Sequence, residues 1–138
     1  MRRVIQAGSA MVVLAAAVFA TACGTGSAEL KEVQRVRSGD LNVVLLSEDG
    51  TLNRGKDAFV IEFRNAGGAL VDVGTVKTGA TMPMPGMTMP ASVRVDRSSV
   101  PGRYSANGDF GMAGGYQMKI EWSGPTGQGA VSFEGTVQ

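Results

Sequence analysis

Met82-Pro83-Met84-Pro85-Gly86-Met87-Thr88-Met89-Pro90 places four methionines within nine residues, on a stretch stiffened by three prolines and marked by one glycine. The thioether is a soft, uncharged donor, so a group of them selects Cu(I) or Ag(I) over Zn, Mg or Ca, which prefer nitrogen, thiolate or oxygen. It needs no deprotonation, and binding through it is expected to survive mild acid. The chain has no histidine and one cysteine. That removes the two-histidine, one-cysteine set of a blue-copper centre and points to Cu(I) without an electron-transfer role.

Local sequence also suggests how the sulfurs are brought together. Proline at the second and glycine at the third place of Met84-Pro85-Gly86-Met87 is the preference of a type II turn, which sets Met84 opposite Met87. Met82 and Met89 lie two residues further out on each arm, and side chains two apart share a face. Because Pro83 and Pro90 cannot donate to a ladder, the segment is expected to be a stiff, irregular loop rather than a regular hairpin. The metal-ligand candidates are Met82, Met84, Met87 and Met89, with Met112 of the glycine-rich stretch 109–115 as a fifth sulfur or a gap filler. Two other readings of the cluster stay open: an adaptable apolar surface for a protein partner, and packing over an open end of the fold. Met118 alternates with Tyr116, Ile120 and Trp122 and is expected in the core. Trp122 is read as a buried strand residue, with capping of bound Cu(I) as the less common use of such a ring.

Along the elements that must position these residues, the hydrophobic period is close to two. Phe59, Ile61 and Phe63 alternate with polar or outward positions, as do Val71 and Val73, Val93 and Val95, Tyr116 to Trp122, and Val131, Phe133 and Val137. Leu41 to Leu46 is a more continuous apolar run, suited to a strand covered on both faces or to a pairing partner near the N-terminus. Turn signals separate these runs, at 48–50, 65–68, 100–102, 113–115 and 123–127. The expected fold is all-β, an immunoglobulin-like antiparallel sandwich of about seven strands, with a small closed barrel as the alternative.

The N-terminus sets the compartment. Arg2 and Arg3 precede an apolar run, Ala10 to Ala20, too short to span a bilayer, and small residues lead to Cys23. The expected organisation is a lipoprotein signal peptide over 1–22, a lipidated Cys23 opening a polar tether over 23–39, and the sandwich domain over 40–138. Such a chain is exported and membrane-anchored, facing the periplasm or cell exterior, and Gly24 favours the outer membrane where there is one. Removing 1–22 takes two of the 13 Lys+Arg and none of the 12 Asp+Glu, leaving 11 − 12 = −1. Nucleic acid is therefore not an expected partner.

Catalytic readings are weak. Histidine-based triads are excluded by composition, and the cysteine is assigned to lipid. Asp and Glu are scattered singly, as on solvated strand faces, with Glu62 and Asp72 expected to pair with Arg64 or Arg94 across a sheet. The stretch 111–115 lacks the context of a phosphate-binding loop and reads as a tight strand connection. The chain is read as no enzyme.

Met82-Pro83-Met84-Pro85-Gly86-Met87, then Pro101-Gly102 and Tyr104, then Asp109-Phe110-Gly111-Met112-Ala113-Gly114-Gly115-Tyr116 before a strand, resembles the YtkA-like domain family, related to FixH-like proteins, over about Leu41 to Thr136. The resemblance implies an extracytoplasmic immunoglobulin-like sandwich, often encoded near heavy-metal efflux or copper-handling systems, with an accessory role and no established catalysis. Its methionine motif falls on Met82, Met84, Met87 and, later, Met112. Tyr116 stands where the family commonly has tryptophan, and no histidine accompanies the methionines. The functional expectation is a membrane-tethered Cu(I)/Ag(I)-binding accessory to an efflux-system or oxidase-assembly partner; the alternative is a metal-free interaction module that docks through the same loop.

Overall fold

The computed structural model describes residues 29–138. The expected signal peptide, Cys23 and the first part of the tether lie outside the described residues. Eight strands follow: β1 Lys31–Ser38, β2 Leu41–Ser47, β3 Gly55–Arg64, β4 Thr75–Met84, β5 Met87–Arg97, β6 Arg103–Phe110, β7 Gly114–Gly124 and β8 Gly127–Val137. All strand pairings within the ladder are antiparallel, in the order β1-β2-β3-β6-β5-β4-β7-β8.

β5 belongs to both layers. Its first half, to Ala91, pairs with β4, and from Ser92 onward it pairs with β6. One layer is then β1-β2-β3-β6-β5 and the other β4-β7-β8, with β5 as the hinge between them. Without β1, the order is that of the seven-stranded constant-type immunoglobulin sandwich. β1 also touches β8 on the far side, which brings the two layers together a second time.

Residues 31–38, expected in a polar tether, form β1. Val36 pairs with Val43 and packs on the core, while Arg35 and Arg37 point away; a bulge after Glu32 disturbs the alternation and hides the strand in the sequence. β2 is covered on both faces, with Val43, Val44, Leu45 and Leu46 all buried. The expected strand around Val71 and Val73 is instead a loop. The Val71 amide still donates to the Phe63 carbonyl at 2.8 Å, but Leu70 makes only an isolated bridge.

Alternating side chains of both layers meet in one core that includes Phe63, Tyr104, Phe110, Tyr116, Met118, Ile120, Trp122 and Phe133. Edge-to-face rings lock the layers, Phe63 against Trp122 at 5.3 Å and Phe110 against Tyr116 at 5.2 Å between centroids. On the outer face Glu62 is 1 % exposed. It accepts hydrogen bonds from Arg64, its neighbour two residues on, and from Arg103 Nε of β6 at 2.9 Å. Asp72 pairs with Arg97 at 3.0 Å, and Arg94 pairs with Asp96 at 3.3 Å, so neither expected Arg94 pairing forms.

Candidate functional site

The methionine segment is a regular hairpin. Met84 is opposite Met87, Pro83 opposite Thr88, Met82 opposite Met89 and Thr81 opposite Pro90, around the two-residue turn Pro85-Gly86. Gly86 has φ +78°, the value a type II turn requires at its third residue. The expected irregular loop does not form, for a reason the register supplies. A two-residue turn makes Met84 and Met87 the hydrogen-bonded closing pair, and pairs alternate outward from it. Pro83 and Pro90 then both occupy non-hydrogen-bonded pairs, so their missing N–H groups face away from the partner strand. The prolines leave the ladder intact and blunt its outer edges.

All four hairpin methionines lie on one face, as two cross-strand pairs. Within each pair the Cβ atoms of directly opposed residues are about 5 Å apart, and the pairs are stacked about 7 Å apart along the strands. That face is the inward face of the sandwich. Met82 is 6 % exposed and part of the core, Met84 and Met89 pack against the core from its margin, and Met87 is 58 % exposed at the tip. The thioethers therefore run from the floor of the open end to its outer rim.

Beyond Thr81 opposite Gln117, β4 separates from β7, and β6 pairs with β5 only as far out as Ser92 opposite Asp109. The hairpin tip is thus a free ribbon. A groove of about 590 Å³ lies beside it, lined by Met82 and Pro83 of β4, Gly114 to Gln117 of β7, and Glu134 to Thr136 of β8. Met82 reaches across the gap: a Cβ on Gly114 would sit 2.8 Å from its Cε methyl. Gly114 has φ +142°.

Met112 stands on the β6–β7 connection, 42 % exposed. Tyr116 fixes it there. The Tyr116 hydroxyl donates to the Met112 carbonyl at 2.8 Å and accepts from the Met112 amide at 3.4 Å. A tyrosine that opens this strand and bonds back to the preceding connection is the tyrosine corner of immunoglobulin-like sandwiches.

The sequence-derived site residues thus divide. Met84, Met87 and Met89 share one hairpin face with Met82 beneath them, while Met112 lies on the β6–β7 connection at the same end of the sandwich, held by Tyr116. Met118 is core, as expected. Trp122 pairs with Val76, six residues along β4 from Met82 and hence about 20 Å away, so it does not cap the methionine face. Sequence reasoning missed the groove and Gly114, whose only signal was the doubled glycine 114–115. Among the described residues, no three His, Cys, Asp or Glu side chains gather as a metal site.

Fold and rim together define an all-β immunoglobulin-like domain whose distinguishing surface is an uncharged thioether edge. The chain matches the family model described as YtkA-like over residues 35–121, more than half its length, and it belongs to the YtkA-like family. The match opens within β1, six residues before the expected start at Leu41, and takes in both methionine elements. Neither a curated protein nor a solved structure matches the chain.

Proposed function

We propose that the domain is an extracytoplasmic, lipid-tethered binding protein for Cu(I) or Ag(I), which are cargo rather than a resident cofactor. The reading is carried by one observation: Met82, Met84, Met87 and Met89 share a face as two stacked cross-strand pairs at an open end of the fold. The donor chemistry fits a soft monovalent cation, since the candidate ligands are neutral thioethers on a pre-formed ribbon. Met84, Met87 and Met89 are the ligands that can reach a solvent-borne ion. Met112, exposed on the connection at the same end, is the fifth candidate, and Met82 closes the floor. Graded exposure suits exchange, because a cation can be taken up at the tip by Met87 and passed inward without crossing a charged or hydrated barrier. The recipient or donor is an efflux-system or oxidase-assembly protein, and the domain itself carries out no chemical conversion.

Titration of the protein with Cu(I) against a colorimetric chelator tests this. The wild type is expected to compete for one Cu(I), and the variant with Met84, Met87 and Met89 changed to isoleucine to lose that competition. Equal binding by both removes metal from the reading. A second reading has its own support: Met87 and Met112 are two of the three exposed large hydrophobic residues among those described, the third being Val100. They offer an apolar anchor to a partner without metal, and in that case the isoleucine variant keeps partner binding.

A further inference from the structure

We infer that the methionine rim rests against the headgroup layer of the membrane that anchors the chain, an inference that takes up the lipid-tether reading above. Its basis is that the chain enters the sandwich at the same end as the rim. A continuous line of contacts links the two. A Cβ on Gly50 would lie 3.3 Å from Lys31 Cβ, so the start of β1 sits on the β2–β3 connection. From that connection Leu52 bridges to Val137, Val137 pairs with Gly114, and Gly114 meets Met82. The turns at 39–40, 98–102 and 125–126 lie at the opposite end.

Lengths decide which end the membrane sees. Cys23 and Lys31 are eight residues apart, a span of roughly 28 Å at full extension. The eleven-residue strands β5, β7 and β8 are each about 35 Å long. β1, which the anchored chain enters at Lys31, spans only about 23 Å from there to the far end. Bringing the far end down needs the tether pulled almost straight along it, whereas with the rim end down the tether keeps its conformational freedom. An anchor at Cys23 therefore favours the rim end near the bilayer.

The surface presented there suits that position. No charged residue occurs from Ala80 to Val93 or from Phe110 to Met118. Met87, Met112, Pro83, Pro85 and Pro90 are exposed on it. An uncharged apolar edge gains from contact with the acyl–headgroup boundary, and because the lipid already holds the chain, this contact has only to set its orientation. Lys31, Arg54 and Lys56 stand around it with Glu48, Asp49, Asp57, Asp109 and Glu134, 3 − 5 = −2. Attraction to anionic lipid therefore does not drive the contact, and added salt is not expected to weaken it.

The test uses the full lipidated chain, free of metal, in vesicles of phosphatidylethanolamine and phosphatidylglycerol. Cys23 is blocked by its acyl chain, so a donor dye can be placed on Thr88→Cys at the rim or on Ser99→Cys at the far end, with an acceptor dye on the lipid headgroups. Energy transfer is expected to be at least twofold more efficient from position 88, and M87D with M112D is expected to lower it. Equal transfer from both positions, or stronger transfer from 99, overturns the inference. So does shielding of position 88 that occurs only in native membranes, which assigns the rim to a protein. If the chain stays in the aqueous fraction with a thiol at Cys23 open to labelling, the tether reading has failed as well. Intact Cu(I) competition alongside equal transfer would leave the metal reading standing and remove only the orientation.

Discussion

The Tyr116 hydroxyl closes a two-way hydrogen bond on Met112, donating to its carbonyl at 2.8 Å and accepting from its amide at 3.4 Å. A strand residue thereby holds an exposed methionine in place on a glycine-rich connection. Changing Tyr116 to Phe keeps the ring against Phe110 and removes only this clasp. The expected cost is about 1 kcal/mol by denaturant unfolding, and the Met112 amide is expected to exchange with solvent faster while core strand amides do not.

Gly114 and Met82 set the width of the groove. Gly114→Ala must adopt φ +142° with a side chain and displace the Met82 methyl, which would lie 2.8 Å from the new Cβ. Destabilisation of about 1–3 kcal/mol is expected. A shifted Met82 methyl resonance, with Met118 unmoved, distinguishes this local effect from general loosening.

Glu62 is the buried polar residue whose loss matters most. Glu62→Gln leaves an amide facing the Arg64 and Arg103 guanidiniums, and a cost of about 2 kcal/mol is expected from the charge-assisted bonds lost. The exposed pair Arg94–Asp96 is the control: Arg94→Gln is expected to change stability by less than about 0.5 kcal/mol. Chemical denaturation of the two variants side by side checks both.

Asp49 makes the β2–β3 connection acid-sensitive. Hydrogen bonds from the Asn53 side chain, the Thr51 amide and the Ser47 hydroxyl lower its pKa from the ordinary 3.8 to about 2. A carboxyl depressed by folding stabilises the folded state fully above 3.8, and that contribution is lost as pH falls through about 2. Protection of the Thr51 amide is therefore expected to hold at pH 5 and to fade between pH 4 and 2, with Asp49→Asn showing no such transition. Metal binding through thioethers is expected to be unchanged between pH 7 and 5.

Much of this architecture was legible because alternation exposes a half-buried strand. Tyr116, Met118, Ile120 and Trp122 all face the core, as their spacing indicates. β6 was not legible: its inward positions Tyr104, Ala106, Gly108 and Phe110 include two residues too small to register as an apolar alternation, and Gly108 is the one that leaves room for the Phe110 ring, which a Cβ would approach to 2.5 Å. β1 was taken for tether because its bulge breaks the period. At the site, the cross-strand pairing of the methionines followed from Pro85-Gly86 alone. Their burial did not, because a methionine at the floor of an open end and one at its tip look identical in sequence. The hairpin itself was missed because proline tolerance depends on which pairs of a ladder carry hydrogen bonds, and register decides that.

Methyl-labelled methionine NMR during addition of one equivalent of Ag(I) tests the thioether rim most directly. The Met84, Met87, Met89 and Met112 methyl signals are expected to move together and saturate at one ion, while Met118 stays fixed in the core. Rim methyls that remain where they were, with the ion bound elsewhere or not at all, would contradict the metal reading.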